Sequence, residues 1–368
     1  MRRVVLAVNS LGQRGTDRVA IHLACGVAAA GLDAEIVAFR RGGTGESVLG
    51  PMLHPAVRLT FLAGEVAHRK LDLVTGLAGF AAHLRSGPPA CLISCGNHMN
   101  WVCAAAATLA DRSHCRVVLK ATNPIIRPSD GPLGAVVRRG VYGWAVDAAD
   151  RMLTLTEADA GNLSAAFPRQ AHKFKAVANP YVTAEMLKPR TSDDTGLRTP
   201  IVVAVAGFSR RKRLDLLVEA FALTRTRDAR LVLIGDGVER RAIEAQIQAR
   251  GIGDRVDLAG YVADVGPWFA RASVMALTST YEGLPAVLFE AMAANCPVVS
   301  TNCFAGADEL VGRSEGCLLS ADDPASIAAA LDQVLSQPRP TTLRTQAQRY
   351  SVEQGVRSHI AAVEDLLT

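Results

Sequence analysis

Two glutamates, Glu282 and Glu290, stand eight positions apart around a Gly-Leu-Pro turn in the run YEGLPAVLFEAMAA. The pattern predicts a buried strand over residues 274–277, then the turn, then a helix over residues 288–294. Backbone N–H groups of a turn and of a helix start bind phosphate or sugar oxygens, and carboxylates can accept hydrogen bonds from polyol hydroxyls. On their own, the two residues are equally explained as a helix-surface acid and a partner of the helix dipole.

A run of four cations, Arg210 to Arg213, follows a predicted strand that ends at Gly207. An amphipathic helix is predicted directly after it, over residues 213–224. Cations that follow a parallel strand lie at the edge of the sheet where ligands bind, and there they can neutralise a diphosphate leaving group. A basic loop in solvent is the alternative interpretation of such a run.

The next strand, turn and helix carry Gly235 and Gly237 in the sequence RLVLIGDGVERRAIEAQI. These glycines match the start of a dinucleotide-binding fingerprint, with Asp254 or Asp257 in the place of the ribose-binding acid. The third position holds Arg240, where close helix packing requires a small residue. The partial match indicates a nucleotide near this turn without identifying its kind.

Two loops in the first half of the chain also follow predicted strands. One carries Gly15 and Thr16 before a helix predicted over residues 17–31, so its backbone could approach a phosphate. The other carries His98 before an apolar helix. A plain strand-helix turn and a packing histidine account for these residues as well.

Several kinds of site are excluded by the sequence. No D-x-D pair is present to hold a metal diphosphate, so no metal is predicted. The G-x-S-x-G match at residues 312–316 precedes an apolar run instead of a helix, and no P-loop occurs, which excludes serine hydrolases and P-loop ATPases. The eight cysteines form no C-x-x-C pair and are expected to be reduced, as in a cytoplasmic protein.

These candidate residues lie in a chain of 368 residues, a length that suggests two domains. Hydrophobic residues make up 49% of the chain and charged residues 20%, which is typical of a globular protein. The longest apolar runs are shorter than the roughly 20 residues of a membrane span. The amino terminus lacks a cleavage site and is interpreted as a first strand.

The net charge of +5 originates in the first half of the chain. Residues 1–185 contain 20 basic and 13 acidic residues, whereas the remainder contains 20 basic and 22 acidic ones. These excess positive charges could bind an anionic membrane surface or an anionic acceptor, and a solvated basic face accounts for them equally well. Dense Lys/Arg clusters with interleaved aromatics are missing, so nucleic acid is not expected as a partner.

Short apolar runs alternate with helical patterns along the chain, which predicts parallel βαβ units. The alternation stops at residues 183–199, which are rich in charge and small polar residues, and then restarts. The sequence therefore predicts two doubly wound α/β domains, residues 1–182 and 200–345, with a linker at 183–199. A helix at residues 346–368 is expected to pack back on the first domain.

The run from Glu282 to Val311 resembles the donor-site signature of the family 4 retaining glycosyltransferases. Both glutamates, the EAMA helix, the PVV strand and the later Gly306 and Glu309 recur in the family's order. The resemblance implies that Glu290 holds the ribose hydroxyls of a nucleotide and that Glu282 contacts the transferred sugar. It places three backbone amides beside the sugar and diphosphate, those of Gly283, Leu284 and Ala286.

The family's G-R-L-x-x-x-K-G segment, whose Arg and Lys grip the diphosphate, aligns with the basic loop. Lys212 falls on the family's lysine, but Gly207 stands where the family has its arginine. Either Arg210 or Arg211 is expected to supply the second charge, with Arg211 preferred. Three further residues are implied to lie by the nucleotide: Gly235 and Gly237 in the turn beneath it, and Val262 in the loop near the base.

The first half of the chain resembles the family less closely. Gly15 and Thr16 take the places of the family's GGAERV loop, and His98 that of a histidine near the transferred sugar. Relatives bind acceptors in a region that is basic in this chain, at Lys120, Arg127, Arg138 and Arg139.

By this resemblance the fold is GT-B-like, with two Rossmann-like doubly wound parallel-sheet domains that face a central cleft. The implied function is the retaining transfer of a sugar from a nucleotide-sugar, UDP-linked, to a hydroxyl acceptor in polysaccharide, lipopolysaccharide or glycolipid synthesis. The donor is a co-substrate, and no further cofactor is expected. The expected acceptor is a saccharide or a lipid-linked molecule, and the expected location is the cytoplasm, with peripheral contact to the membrane as an option.

Other functions stay open from the residues alone. A UDP-sugar epimerase of the same architecture could use His98 with Glu282 as acid and base. An NAD-dependent oxidoreductase could be built on the Gly235 turn. A non-catalytic sugar-nucleotide binding subunit would be compatible with the missing family arginine.

Overall fold

A computed structural model describes residues 3–12, 15–40, 50–62, 69–125, 131–189 and 199–367. Two compact units are present, each built on one parallel sheet. Unit 1 contains Met1–Pro180 and Val352–Thr368, and unit 2 contains Tyr181–Ser351.

The elements of unit 1 alternate between strands and helices. In chain order they are β1 (Arg3–Val8), α1 (Gly15–Ala29), β2 (Asp33–Ala38), β3 (Arg58–Phe61), α2 (Arg69–Ser86), β4 (Ala90–Ser94), α3 (Asn97–Ala110), β5 (Cys115–Lys120), α4 (Pro132–Ala148), β6 (Arg151–Thr154), α5 (Glu157–Ala166) and β7 (Phe174–Ala176). The strands pair in parallel in the order β3-β2-β1-β4-β5-β6-β7.

Unit 2 repeats this alternation. Its elements are β8 (Ile201–Val205), α6 (Leu214–Leu223), β9 (Arg230–Ile234), α7 (Arg240–Ala249), β10 (Val256–Gly260), α8 (Gly266–Arg271), β11 (Val274–Leu277), α9 (Ala286–Ala293), β12 (Val298–Thr301), β13 (Leu318–Ser320), α10 (Pro324–Leu335) and α11 (Leu343–Gln348). The strands pair in the order β10-β9-β8-β11-β12-β13. The last helix of the chain, α12 (Val352–Leu367), belongs to unit 1.

Strand order reverses once in each sheet, between β1 and β4 and between β8 and β11. Ligands of doubly wound sheets bind in the crevice at such a switch point, beyond the carboxyl ends of the strands. The central strands are buried along their length because helices cover parallel sheets, and β1 and β4 expose no residue. A ligand of either unit is therefore expected beside the loops that follow these four strands.

The predicted doubly wound parallel sheets are confirmed, while the helix ends differ by a few residues. The helix predicted over residues 17–31 spans Gly15–Ala29 and stops there because Gly31 adopts a φ of +77°, the left-handed conformation of a helix C-cap. The helix predicted over residues 288–294 begins earlier, at Ala286, directly after Pro285. Residues 190–198 of the predicted linker lie outside the described residues.

Two glycines allow α12 to dock closely, one against α1 and the other against the backbone at Pro180. A Cβ at Gly26 would lie 2.4 Å from the side chain of Val356, and a Cβ at Gly355 would lie 2.5 Å from the backbone of Pro180. Side chains do not tolerate such distances, so both positions need glycine for the helix to dock this closely.

Candidate active site

The switch point of unit 2 carries the basic loop after β8 and the Gly-Leu-Pro turn after β11. Hydrogen bonds to backbone carbonyls join these loops: the N–H of Thr280 donates to the Arg211 carbonyl at 2.8 Å, and the Thr278 hydroxyl donates to the Arg213 carbonyl at 3.0 Å. The basic residues form a single 3-10 turn, Arg210–Lys212, after which Arg213 adopts a φ of +49°. The two loops therefore hold each other in place, and their side chains meet.

Glu282 lies at the centre of the side-chain cluster that these two loops form. Its side chain is buried, with the whole residue only 7% exposed. Lys212 Nζ lies 2.5 Å from Oε1, and Arg211 Nη1 lies 2.7 Å from Oε2. The Ser279 hydroxyl donates to Oε1 at 2.7 Å. One carboxylate thus holds two cations, which leaves a net positive cluster at the end of β11.

The electrostatics of the cluster keep Glu282 ionised. Burial by itself raises the pKa of the carboxyl, but the charges of Lys212 and Arg211 and the hydrogen bonds outweigh it, so the pKa is lowered. An ionised carboxylate accepts hydrogen bonds and cannot donate a proton at neutral pH. Glu282 is therefore suited to orient hydroxyls and cations, and it is unsuited to act as a general acid.

The two candidate arginines differ in position. Arg211 reaches Glu282, whereas the side chain of Arg210 is 92% exposed and lies 3.4 Å from Glu239. Gly207 is exposed and brings no charge to the place of the family's arginine. Only Arg211 of these two arginines joins the Lys212 cluster, and its contact with a diphosphate stays a prediction.

The Gly-Leu-Pro turn is anchored at both ends. The Glu282 N–H donates to the Cys303 carbonyl at 2.6 Å, and the Leu284 carbonyl accepts a hydrogen bond of 2.8 Å from the Tyr181 hydroxyl. Gly283 and Leu284 are buried, and Ala286 opens α9 after Pro285. The three residues expected to offer amides to the donor therefore stand next to the charged cluster in sequence, at the start of a helix.

Gly235 and Gly237 allow two loops to pack closely. A Cβ at Gly235 would lie 2.0 Å from the Ala206 carbonyl oxygen, and a Cβ at Gly237 would lie 2.3 Å from the Phe208 carbonyl oxygen. Gly235 also has a φ of +130°, which L side chains rarely adopt. The G-x-G pair is thus required by backbone packing against the basic loop, whichever nucleotide binds nearby.

Glu290 lies one turn into α9, half-buried. It lines a cavity of about 270 Å³ together with Val265 and Gly266, which follow the loop after β10. Val262 is half-buried in that loop. The ribose role of Glu290 and the base role of Val262 stay predictions, and only Glu290 of these two residues lines the cavity.

Three residues of unit 2 were missed by the sequence reasoning. Arg339 donates to the Phe269, Ala272 and Ala294 carbonyls and lines the Glu290 cavity. Ser279 and Tyr181 contact the turn directly. A hydroxyl residue just after a buried strand could have pointed to Ser279, but no local pattern pointed to the other two.

In unit 1, the loops after β1 and β4 again lie at the switch point. Gly15 begins α1 with open space around its Cα, so nothing in the packing requires glycine there. The buried Asp17 accepts from the Gly12 N–H at 3.0 Å, and the Thr16 hydroxyl is 3.4 Å from its other oxygen. Asp17 thus holds the backbone at Gly12 from inside the first helical turn.

His98 lies at the start of α3, beside a groove of about 560 Å³ between α3 and α4. The neighbouring Asn97 accepts from the Thr122 N–H at 2.6 Å and donates to the Asn123 carbonyl at 2.8 Å, which ties the loops after β4 and β5 together. The groove wall is mainly apolar, with Trp101 and Val137 among its residues. The structure therefore brings His98 to this groove, whose lining also includes Arg138.

One predicted acceptor contact is wrong. Lys120 is the last residue of β5 and is 1% exposed, with its Nζ 2.8 Å from His359 Nε2 of α12. Its side chain points into the interior because strand residues alternate between faces, which the basic composition of the region concealed. Arg127 lies outside the described residues, whereas Arg138 and Arg139 lie on α4.

Within the described ranges, no group of three or more His, Cys, Asp or Glu side chains could hold a metal ion. Likewise, no helix in the part of the chain that the structure covers is long and apolar enough to cross a membrane. All eight cysteines are free, and seven are buried. Burial raises the pKa of the Cys303 thiol, next to the turn, to about 11, so this thiol is protonated at neutral pH.

Comparisons with known proteins agree with this geometry. Residues 199–337 match the family model described as Glycosyl transferases group 1. The chain is 25% identical over 244 residues to the N-acetylgalactosamine-N,N'-diacetylbacillosaminyl-diphospho-undecaprenol 4-alpha-N-acetylgalactosaminyltransferase of Campylobacter jejuni, covering 66% of each chain. It is 31% identical over 156 residues to the lipopolysaccharide core biosynthesis glycosyltransferase LpsE of Rhizobium meliloti, covering 42% of this chain and 44% of the relative.

Among solved structures, Anabaena Alr3699/HepE in complex with UDP superimposes with a TM-score of 0.76 at 19% identity, covering 100% of both chains. The chain therefore has the GT-B fold, and residues 199–337 match a group 1 glycosyltransferase domain, in agreement with the resemblance seen in the sequence. The two curated relatives are bacterial glycosyltransferases, of which the matched part of this chain spans 66% and 44% of the length.

Proposed function

We propose that the protein is a glycosyltransferase that transfers a sugar from a UDP-sugar to a hydroxyl of a lipid-linked saccharide, with retention of anomeric configuration. The observation that carries the proposal is the cluster of Glu282, Lys212 and Arg211 at the switch point of a group 1 glycosyltransferase domain. A positive cluster on a fixed turn is what a departing nucleoside diphosphate requires, because the leaving group gains negative charge as the sugar bond breaks.

Each residue of the cluster has a distinct role in this proposal. Lys212 and Arg211 balance the charge of the diphosphate, in the place of a metal ion. Glu282 stays ionised, keeps both cations at the end of β11, and accepts a hydrogen bond from a sugar hydroxyl. Ser279 holds the carboxylate in its rotamer. The cations are thus held before the donor arrives, which lowers the cost of reorganisation during the reaction.

The bond changes need no dedicated protein base. The bond between the anomeric carbon and the diphosphate oxygen breaks, and the acceptor oxygen bonds the same carbon on the same face. The acceptor hydroxyl proton passes to an oxygen of the departing diphosphate. The ionised Glu282 agrees with this route, since it could not supply a proton to the leaving group at neutral pH.

Two observations support a nucleotide donor, and the first of them supports UDP. The superimposed Anabaena protein was solved with UDP. In this chain, Glu290 stands in a cavity with Val265 and Gly266, where a carboxylate can accept from ribose hydroxyls while the loop after β10 borders the base. The donor sugar itself depends on a few pocket contacts and is left open.

The apolar groove of unit 1 supports a lipid-linked acceptor. Helix α4 exposes a stripe at helical spacing, with Leu133 79%, Val137 58%, Val141 45% and Trp144 47% exposed. Apolar side chains exposed in a contiguous patch commonly mark binding surfaces. Arg138 lies on the same helix and lines the same groove, where it can offer a positive charge to an anionic headgroup or diphosphate. The C. jejuni relative is named for an acceptor linked to diphospho-undecaprenol.

The first experiment is thermal stabilisation of the protein by UDP, GDP, ADP and NAD. A ligand that binds only the folded protein raises its stability, so selective stabilisation by UDP is expected. Glu290→Gln should reduce the UDP effect, whereas the control Glu244→Gln, which loses only an exposed pair with Arg240, should keep it. Stabilisation by NAD alone, or by none of the four, would contradict the donor site.

Turnover separates the proposal from its rivals. With UDP-sugars and a polyprenyl-diphosphate saccharide, the proposal expects release of UDP that depends on the acceptor and a product with the donor's anomeric configuration by NMR. Epimerisation without an acceptor would identify the epimerase alternative. UDP binding without turnover on any acceptor would favour a non-catalytic subunit.

A further inference from the structure

The two ends of unit 2 meet beside the donor site. Tyr181 is the first residue of this unit, and the N–H groups of Tyr181 and Val182 both donate to the Tyr350 carbonyl at 3.0 Å. Val182 and Ser351 form a parallel bridge. These bonds fix the point at which the chain enters the unit against the point at which it leaves.

Three aromatic rings stack at the same point. Phe289 lies between the rings of Tyr181, at a centroid distance of 5.6 Å and an interplanar angle of 14°, and Tyr350, at 3.8 Å and 29°. Phe289 is 1% exposed and immediately precedes Glu290 on α9. The entry and exit of unit 2 are thus packed directly on the helix that carries the second glutamate.

The Tyr181 hydroxyl also contacts the Gly-Leu-Pro turn. It donates to the Leu284 carbonyl at 2.8 Å across 103 positions of sequence. The peptide between Leu284 and Pro285 has no N–H, so its carbonyl is the single polar group through which hydrogen bonding can fix it. Together with the bond from the Glu282 N–H to the Cys303 carbonyl, this hydrogen bond anchors the turn at both ends.

We infer that Tyr181 is a positioning residue for the donor: its hydroxyl holds the Leu284 peptide, and thereby the turn that faces the sugar and diphosphate. The inference rests on the proposed function for the identity of the ligand. Tyr181 acts through Leu284, and its ring supports α9 through Phe289. Loss of the hydroxyl loosens the turn while the stack keeps the ring and the helix in place.

The test compares Tyr181→Phe with the wild type for UMP and UDP binding by calorimetry. One neutral hydrogen bond is worth about 0.5–1.5 kcal/mol, so UDP binding should weaken about two- to twelvefold. UMP, which lacks the second phosphate beside the turn, should bind equally to both proteins. In the sugar-transfer reaction, Tyr181→Phe should raise KM for the UDP-sugar by a larger factor than it lowers kcat, both relative to the wild type.

Tyr350→Phe is the matched control, because it keeps the other ring of the stack and, among the described hydrogen bonds, its hydroxyl has none to the turn. It should bind UDP like the wild type. Equal loss of UMP and UDP binding in Tyr181→Phe, or an equal effect in Tyr350→Phe, would overturn the inference in favour of a general packing role.

Amide hydrogen exchange of the peptide that contains Gly283 and Leu284 separates this inference from the proposed function. Exchange without ligand should be faster in Tyr181→Phe than in wild type and in Tyr350→Phe. If no nucleotide binds the wild type, the proposed function fails while faster exchange still supports the positioning role. Unchanged exchange of the turn would overturn that role, even in a protein that binds UDP.

Discussion

Glu282 organises the candidate site at the scale of single residues. Its carboxylate holds Lys212 and Arg211 in one place, as the proposed function requires if both cations are to act on one diphosphate. The cations therefore need little rearrangement when a leaving group forms, and the contribution of each should be separable by substitution.

Replacing Lys212 and Arg211 one at a time tests how much each cation contributes to catalysis. Lys212→Met should lower the rate of sugar transfer about 10²- to 10³-fold, the usual effect of removing one preorganised group that stabilises transition-state charge. Arg211→Met should have a smaller effect, because its side chain is 35% exposed whereas that of Lys212 is 17% exposed. Steady-state kinetics with saturating acceptor measures both.

The solvent-exposed Arg210 provides the control for these variants, since its side chain is 92% exposed. Arg210→Met should change the rate less than about twofold, because a surface ion pair contributes little. A large effect of Arg210→Met with a small effect of Arg211→Met would reverse the assignment of the second cation.

The lowered pKa of Glu282 predicts how stability depends on pH. The folded protein binds a proton on this group less readily than the unfolded chain, whose carboxyl has an ordinary pKa of 4.5. The group thus stabilises the fold above pH 4.5 and loses this contribution as the pH falls through its folded pKa. Urea unfolding at pH 7, 5 and 4 should therefore show the gap between wild type and Glu282→Gln shrinking toward acid pH. A gap that grows as the pH falls would refute the ionised assignment.

Much of the site could be predicted at this scale because the motif residues are local in sequence. Glu282, Lys212 and Arg211 lie directly after predicted strands, and parallel strands bring such loops together. Tyr181 could not be found this way, since its bond to Leu284 depends on packing between distant segments. Lys120 was placed wrongly because composition does not report on which face of a strand a side chain lies.

At the scale of elements, small residues decide how closely α12 approaches α1. Gly26 lies in the middle of α1, where alanine would ordinarily favour the helix by about 1 kcal/mol. The contact with Val356 opposes this gain, because an added Cβ would lie 2.4 Å from that side chain. The packing of the two helices should therefore reverse the usual effect of this substitution.

A double-mutant cycle measures that reversal. Gly26→Ala should lower the free energy of unfolding by about 1–3 kcal/mol through overpacking. In a Val356→Ala background the space is open, and the same substitution should be neutral or stabilising. Urea unfolding of the four proteins gives the coupling energy. Effects that simply add would show that the Val356 side chain is not what opposes a Cβ at Gly26.

The order of elements could be predicted well because apolar runs and helical patterns alternate so regularly, and doubly wound sheets follow from that alternation. The strand order needs tertiary structure. The sequence led us to expect that the last helix packs back on the first domain, and α12 belongs to unit 1, but the surface that it contacts there needs tertiary structure as well. No local pattern within residues 352–367 identifies the surface on which that helix packs.

At the scale of the whole molecule, α12 packs in unit 1 on strands that lie far from it in sequence. Arg151 forms an ion pair with Asp365 at 2.7 Å, and Lys120 meets His359 across 239 positions. His359 Nδ1 is 2.8 Å from the Gly355 carbonyl, so Nδ1 carries the proton and Nε2 accepts from the lysine. Burial is the main reason that the pKa of His359 is lowered, and the Lys120 charge adds to it. Unit 1 therefore encloses an ammonium whose only described partner is a neutral imidazole.

This buried ammonium should make the whole chain more stable at alkaline pH. Burial lowers the pKa of Lys120 from 10.5 to about 8, against a small opposing effect of Cys95. Between these values the unfolded chain keeps a proton that the folded protein has released, so the free energy of unfolding rises with pH. Relative to Lys120→Met, the wild type should gain about 2 kcal/mol between pH 8 and pH 10. Urea unfolding at both pH values measures the gain. The control Lys175→Met removes an exposed lysine on β7, and its free energy of unfolding should change with pH as that of the wild type does. Parallel curves for Lys120→Met as well would mean that the lysine reaches solvent and that α12 does not seal unit 1.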